Sequence, residues 1–373
     1  MMKPKRILHI LGGLNQGGIE SFVMNVYRSI DRTKYQFDFF VVNDGFYGDE
    51  IRSMGGRVFV HEKRSMRHMS RYYRSMRSFF EEHKGEYCAV HMHAATLSAI
   101  QTLKYAKDAG IPVRIIHAHS STVKTSKIHY IFHYFNKMRL GSLATHYFAC
   151  SEAALHWFYD YSLVKKQARI INNGIDSSRF LYDESLGRSV REELDIPDNS
   201  LVIGHVGSFI KVKNHVYLLN VFAELKKIHP DSFLFLVGDG ELRAQIENKI
   251  KSLNIANSIR LLGLRNDVNR ILQAVDVVVM PSLYEGMPVS LVEAQAADCA
   301  VVCSDTISSD TKIINSFVQL PLDSSSEYWA KNILNIIQGR KRKNTQREII
   351  AHGFDVENTA SELMDVYLSG SSL

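Results

Sequence analysis

The chain has 373 residues, 45% hydrophobic and 23% charged, which predicts two globular domains and excludes fibrous, low-complexity and repeat architectures, while no apolar run is long enough to cross a bilayer. Four cysteines, Cys88, Cys150, Cys299 and Cys303, lie in separate apolar segments with no C-x-x-C pair, so buried free thiols in a reducing cytoplasm are expected and a zinc site is not. A formal charge of +6 suits an acidic partner such as a phosphorylated substrate or an anionic membrane; without a zinc finger or aromatic-basic RNA-binding motif, nucleic acid ranks last.

The start of the chain is basic, but residues 7–11 are too short for a signal-peptide core and Gly12-Gly13 ends the run. It reads instead as a first strand, 6–11. The segment from Gly12 to Glu20, which contains Gly17 and Gly18, then opens a helix over 20–30. Glycines there let a diphosphate approach backbone amides; the other reading is a tight turn with no ligand. The spacing G-x-G-x-x-G is absent, which disfavours a nicotinamide cofactor. Further strands are expected at 37–42, 57–61, 88–93, 113–117, 146–150 and 170–172, with a helix over 95–109. Such alternation argues for a parallel sheet with helices on both faces.

Residues 64–80 read as an amphipathic helix. Met66, Met69, Tyr73, Met76 and Phe80 recur at three- and four-residue steps, Arg67, Arg71, Arg74 and Arg77 form a second stripe, and no acid occurs from Lys63 to Phe80. Two readings stand: a basic stripe for anionic lipid headgroups, or a sheet-covering helix whose arginines face solvent. Lys124, Lys127, His129 and His133, with Tyr130, Phe132, Tyr134 and Phe135, make a second basic-aromatic stretch that favours a phosphorylated, lipid-like acceptor. His91-Met92-His93 and His117-Ala118-His119 end two strands. Imidazoles there can bond a sugar or phosphate oxygen. His91 and His117 read as structural, whereas His119, followed by serines and a loop, is a site candidate. Metal binding is the weaker option, because no carboxylate or cysteine completes a set.

The alternation breaks at Asn172-Asn173-Gly174-Ile175-Asp176, and a polar stretch runs over 176–200. It restarts with strands 202–206, 233–237, 258–262 and 276–280 and helices 216–228, 242–253 and 268–274. The expected fold is α/β, two doubly wound Rossmann-like domains with an interdomain cleft, ligands sitting at the carboxyl ends of the strands. The loop from Val206 to His215 carries Lys213, a phosphate partner or a solvated lysine. In Gly238-Asp239-Gly240, Asp239 reads as the cap of the next helix. The segment from Gly263 to Asp267, with Arg265, touches a nucleotide base or merely turns the chain. Most informative is Glu285-Gly286-Met287-Pro288-Val289-Ser290-Leu291-Val292-Glu293. A helix N-terminus there faces an anion, one carboxylate before the turn can hold a hexose hydroxyl, and a second two turns in can accept from a ribose diol. That pair tips Lys213 toward phosphate.

These residues resemble glycosyltransferase family 4, the retaining enzymes of GT-B fold, and bacterial exopolysaccharide and capsule transferases within it. The paired-glutamate motif, preceded by Asp276-Val277-Val278-Val279-Met280-Pro281-Ser282, carries the resemblance, with Gly17-Gly18, Asn173-Gly174-Ile175-Asp176, Lys213-Asn214 and Gly238-Asp239-Gly240 in support. It implies an acceptor-binding domain over 1–185, a donor-binding domain over 186–353, and a C-terminal helix within 354–373 that packs back on the first. The implied catalytic residues are His119, near the donor sugar, Lys213, which neutralises the leaving diphosphate, and Glu285, which holds the transferred sugar. Donor contacts fall to Gly17, Gly18, Ser208, Lys211, Arg265, Gly286, Met287, Pro288, Val289 and, on the ribose, Glu293. No metal or cofactor is implied. The donor is expected to be a UDP-sugar, the acceptor a saccharide or polyprenyl-diphosphate-linked glycan, and the location cytoplasmic, at the inner face of the membrane. Ser208 stands where the family has arginine, with Lys211 nearby, and the usual E-A-M-A-C-G-x-P run is Glu293-Ala294-Gln295-Ala296-Ala297-Asp298-Cys299-Ala300. Rival expectations are a nucleotide-sugar epimerase of the same fold and a non-catalytic subunit of a polysaccharide assembly complex.

Overall fold

The computed structural model describes residues 3–15, 17–63, 69–120, 127–159 and 167–370, with backbone only for 127–129. It divides into two compact units, Met1–Gly174 with Val356–Leu373, and Ile175–Asp355. The second unit begins earlier than the expected 186. Its first segment is tied to its own helices: Asn269 donates to the Arg179 carbonyl and the Gln273 side chain accepts from the Asp183 amide.

The first unit is built on seven parallel strands: β1 Lys5–Ile10, β2 Tyr35–Val41, β3 Val58–Val60, β4 Tyr87–Ala94, β5 Val113–Ala118, β6 His146–Ala149 and β7 Ala168–Ile170. Their spatial order is β3-β2-β1-β4-β5-β6-β7. The central strands are buried along nearly their whole length, as a sheet covered on both faces requires. The helix Gly18–Ser29 lays Phe22, Val23, Val26 and Tyr27 on one face. The C-terminal helix Val356–Ser369 adds Leu363, Val366 and Tyr367 to the same core.

The second unit repeats the plan with six strands: β8 Leu201–Val206, β9 Ser232–Val237, β10 Ile259–Gly263, β11 Val277–Met280, β12 Ala300–Ser304 and β13 Phe317–Leu320. The order is β10-β9-β8-β11-β12-β13. In both sheets the winding reverses beside the first strand, between β1 and β4 and between β8 and β11. That reversal opens the crevice where doubly wound sheets take ligands.

Several local expectations change. The polar stretch after Asp176 holds a helix, Glu184–Glu193, capped by the Asp183 side chain. Only Gly187 and Val190 on it are buried, so its apolar periodicity is faint. The arginine-rich helix runs Met69–Glu82 and buries Tyr72, Met76, Phe79 and Phe80, not Tyr73. Its stripe is partly neutralised from just outside the acid-free run: Arg71 pairs with Glu62 and Arg77 with Glu81. Arg64, Met66, Arg67, Ser121 and Lys124 lie outside the described residues, as do the side chains of Lys127 and His129. His133 is not part of a basic surface. It is buried in the helix Lys127–Arg139 and accepts a hydrogen bond from the Leu97 amide. All four cysteines are free thiols. Among the described residues no helix is long and apolar enough to cross a membrane.

Candidate functional site

The reversal point of the second sheet brings two loops together. The loop after β8 turns through a short 3-10 helix, Lys211–Lys213, and the loop after β11 leads to the helix Val289–Ala296. The Leu283 amide donates to the Val212 carbonyl and ties one loop to the other. Lys213 Nζ and Glu285 Oε1 form an ion pair at 2.7 Å, the side chains only 14% and 15% exposed. Each charge offsets the desolvation of the other, so neither stays buried comfortably alone. Glycine geometry permits the approach. A Cβ on Gly207 would meet Lys213 Cε at 3.1 Å and Cδ at 3.2 Å, so the lysine stem lies flat over that backbone. Gly238, at φ +139°, abuts the Gly207 carbonyl and leaves no room for a side chain.

Gly286, Met287 and Pro288 complete the turn, Met287 and Val289 are buried, and no side chain caps the helix that starts at Val289. Its first amides therefore have no side-chain acceptor at the cap position. Glu293 follows on the same helix. Burial pushes its carboxyl up to about 7, against the opposing pull of Arg179. Two of the departures that follow it, Gln295 and Asp298, have structural partners. Gln295 is fully buried, donating to the carbonyls of Leu291 and Thr311 and accepting from the amides of Ile313 and Ile314. Asp298 adopts a left-handed conformation, φ +50°, and binds Arg340 and the Lys343 amide.

The remaining donor candidates are placed less decisively. Ser208 is half-buried in the turn after β8, and Lys211 is exposed on the 3-10 helix. Arg265 makes a two-pronged pair with Asp267 at 2.7 Å on each arm. Asp239 does not cap the following helix, whose N-cap is Leu242; it accepts from the Gly240 amide and pairs with Arg243. In the first unit Gly17 is the N-cap of the helix Gly18–Ser29 and the Glu20 carboxyl folds against it, its pKa raised by burial. A Cβ at Gly18 would meet open space.

His119 follows β5 and does not stand alone. It belongs to a cluster with His9, His91, His93 and His117, all on β1, β4 and β5 at the reversal point of the first sheet. His91 and His117 are buried and bonded to each other at 3.1 Å, as their structural reading expects. His9 stands inside the apolar run of β1 and joins the cluster through its register opposite His91 on β4. Tyr367, which bonds His91 at 2.6 Å, sits 276 positions away in sequence and carries no local signal.

Two doubly wound units of this order, with an acid-base pair beside a helix start, are the framework of a GT-B glycosyltransferase. Residues 16–179 match the profile of Glycosyltransferase Family 4, and residues 188–352 that of Glycosyl transferases group 1. The chain is similar to the glycosyltransferase EpsF of Bacillus subtilis, 34% identical over 372 residues, 97% of this chain and 96% of EpsF. It is also similar to the UDP-Gal:alpha-D-GlcNAc-diphosphoundecaprenol alpha-1,3-galactosyltransferase of Escherichia coli, 32% identical over 215 residues, 53% of each chain. Among solved structures it resembles HepE of Anabaena, crystallised with UDP and glucose, with TM-score 0.80 at 20% identity over 99% of this chain and 100% of HepE. The chain belongs to glycosyltransferase family 4.

Proposed function

We propose that this chain transfers a sugar from a nucleotide-sugar, a UDP-sugar, to a growing lipid-linked exopolysaccharide or capsule acceptor, with retention of anomeric configuration and without a metal. The observation that carries the reading is the Lys213–Glu285 pair at the carboxyl end of β8 and β11, beside the uncapped start of the helix Val289–Ala296. A donor entering this point exchanges the pair for better partners. Lys213 turns to the diphosphate, Glu285 accepts from a hydroxyl of the sugar, and the amides from Gly286 to Val289 meet phosphate oxygens. Glu293 accepts from the ribose diol, and His119 bonds the transferred sugar. As the bond to the anomeric carbon breaks, negative charge grows on the diphosphate. A fixed ammonium and fixed amides stabilise that charge electrostatically. The acceptor oxygen bonds to the anomeric carbon on the face the diphosphate leaves, and its proton passes to a phosphate oxygen. No protein nucleophile enters the step.

The lipid-linked acceptor is supported by the diphosphoundecaprenol substrate named for the Escherichia coli relative and by one surface of the first unit. The helix Lys127–Arg139 buries His133 and Asn136 and turns Ile131, Tyr134, Phe135 and Met138 outward, 67%, 58%, 52% and 76% exposed. Lys137 and Arg139 lie in its last turn. Apolar anchors with adjacent cations suit the interface of an anionic leaflet. The helix Met69–Glu82 is less suited, because its apolar side covers the sheet and Arg71 and Arg77 are paired. Such a surface supports a location at the cytoplasmic face of the membrane.

The test is transfer of radiolabel from a panel of UDP-sugars into a membrane lipid extract. Label in the lipid fraction supports the proposal. Conversion of the UDP-sugar with no acceptor present identifies an epimerase, and binding without turnover identifies a non-catalytic subunit.

A further inference from the structure

The five histidines at the first sheet's reversal point form two hydrogen-bonded chains. In one, His119 Nε2 lies 2.9 Å from His93 Nδ1, and His93 Nε2 lies 3.0 Å from His9 Nδ1. In the other, Tyr367 Oη lies 2.6 Å from His91 Nδ1, and His91 Nε2 lies 3.1 Å from His117 Nδ1. Burial forces every member to stay uncharged. It drives His9 and His119 down to about 3, and His91, His93 and His117 well below their ordinary value. Asp38 opposes this at His9 alone among the five, and Cys88 acts on Tyr367.

An uncharged imidazole has one donor and one acceptor, so the direction of one bond fixes the whole chain. The inner ends decide it. His9 Nε2 and His117 Nε2 are buried and have no hydrogen-bond partner among the described residues. The His9 ring packs 4.2 Å from Phe37 and edge-on to Tyr367. The His117 ring makes T-shaped contacts with those of Phe22 and Phe148, at 5.3 and 5.8 Å between centroids. Aromatic faces are electron-rich, so they accept an N–H and repel a bare lone pair. On this ground we assign the proton to both inner nitrogens. In the first chain His9 Nδ1 is then an acceptor, His93 Nε2 donates to it, and His119 Nε2 donates to His93 Nδ1. In the second, the Tyr367 hydroxyl donates to His91, which also satisfies the phenol.

We propose that His93 and His9 are positioning residues that clamp His119 in its Nε2–H tautomer, leaving Nδ1 as an acceptor for a hydroxyl of the bound sugar. The ligand half of this statement rests on the function proposed above; the clamp does not. His119 is thereby a fixed hydrogen-bond acceptor and not an acid or base. A proton arriving at Nδ1 would have to leave from His9 Nε2, which faces hydrocarbon, or stay as a buried cation.

A metal ion is the competing occupant, since ring nitrogens of His9, His91 and His93, and of His93, His117 and His119, lie within 4.8 Å of one another. Two features favour protons. A tetrahedral zinc with bonds of about 2.0–2.1 Å holds its nitrogens about 3.3 Å apart, whereas the bonded pair within each triad sits at 3.0 Å, His9 with His93, and 2.9 Å, His93 with His119. Moreover, neither triad contains a carboxylate or thiolate to neutralise a buried dication.

The experiment is a long-range ¹H–¹⁵N correlation spectrum of the full chain labelled at histidine, recorded without ligand from pH 8 down to pH 5. His119 is assigned by its disappearance in His119→Gln, and the metal content of the same sample is measured. The clamp predicts one His119 species, Nε2 protonated and Nδ1 bare, unchanged over the range. A tautomer mixture, an Nδ1–H species, an imidazolium signal above pH 5, or a stoichiometric metal overturns it. In kinetics, His93→Leu frees the tautomer and costs about tenfold in kcat/KM, the worth of one directed hydrogen bond. His93→Gln, whose amide repeats both bonds, loses less than about threefold. Equal losses in the two variants contradict the clamp. A locked tautomer in a chain that transfers no sugar refutes the function and leaves the clamp standing.

Discussion

The two units share one strand order and solve opposite electrostatic problems at the same place in it. At the reversal point of the first sheet lie five imidazoles that burial keeps neutral. At the reversal point of the second lies a full ion pair, Lys213 with Glu285, and on the following helix a carboxyl raised to about 7. The difference teaches that fold sets where a ligand meets the sheet, while side chains decide whether that place offers fixed dipoles or exchangeable charge. A place of the first kind suits the orienting of hydroxyls, and one of the second kind suits the compensation of an anion.

Acid separates the units most sharply. The five clustered histidines have folded values far below the unfolded 6.5, so the unfolded chain binds more protons and stability falls as pH drops from about 6.5 toward 3. At pH 5 His9 and His119, with folded values of about 3, each contribute a loss on the order of 2 kcal/mol before mutual coupling, and His91, His93 and His117 act in the same direction. The second unit carries fewer such groups, His205 near 4 and His215 near 2. Its Glu293 runs the other way: a folded value raised from 4.5 to about 7 gives stability that is present in acid and lost as pH rises through 7. Calorimetry with limited proteolysis at pH 7.5, 6 and 5 is expected to show the first unit unfolding progressively earlier than the second. Loss of the second unit first would break the comparison.

Glu293 gives the next largest effect. In the role proposed for it, its ionised form accepts from a ribose diol, so donor affinity should rise with pH through 7. Glu293→Gln should flatten that dependence and weaken UDP binding by about ten- to a hundredfold, as expected for hydrogen bonds to a charged group. Calorimetric titration with UDP at pH 6 and 8 reads both effects. An unchanged slope in the variant would remove Glu293 from the donor site.

Smaller effects sharpen the rest. Gln295→Met installs the residue usual in the family and strips partners from the Thr311 carbonyl and the Ile313 and Ile314 amides. It should cost about 1–3 kcal/mol of the second unit's stability in urea denaturation. Smallest in stability terms, Phe135→Ser with Met138→Ser should stay within about 1 kcal/mol yet reduce sedimentation with anionic vesicles. Undiminished vesicle binding would move the membrane contact elsewhere.

The sequence made the alternation of strands legible because buried parallel strands are continuous apolar runs, as in Val277–Met280. It also isolated Glu285, Glu293 and Lys213, whose local setting of strand end, glycine turn and helix start is short in range. What spans the chain was hidden. The 2.7 Å meeting of Lys213 with Glu285 joins loops 72 positions apart, and the bond from Tyr367 to His91 joins a C-terminal helix to β4. Strands β12 and β13 are not among the expected elements: β12 offers only the short apolar run around Cys303, and β13 is four residues long. The partners of the arginine stripe, Glu62 and Glu81, sit just beyond the acid-free window that made the stripe look unopposed. Asp239 has the composition of a cap but finds Arg243 one turn on.

The most direct measurement is turnover of radiolabelled UDP-sugar onto lipid acceptor by Lys213→Ala beside the unmodified enzyme, with UDP-sugar affinity measured in parallel. Removing the charge that meets the leaving diphosphate should lower kcat by about 10²–10³, as for other groups that stabilise developing negative charge, with a much smaller change in affinity. Transfer at the unmodified rate would contradict the assignment of Lys213 and, with it, the place given to the donor.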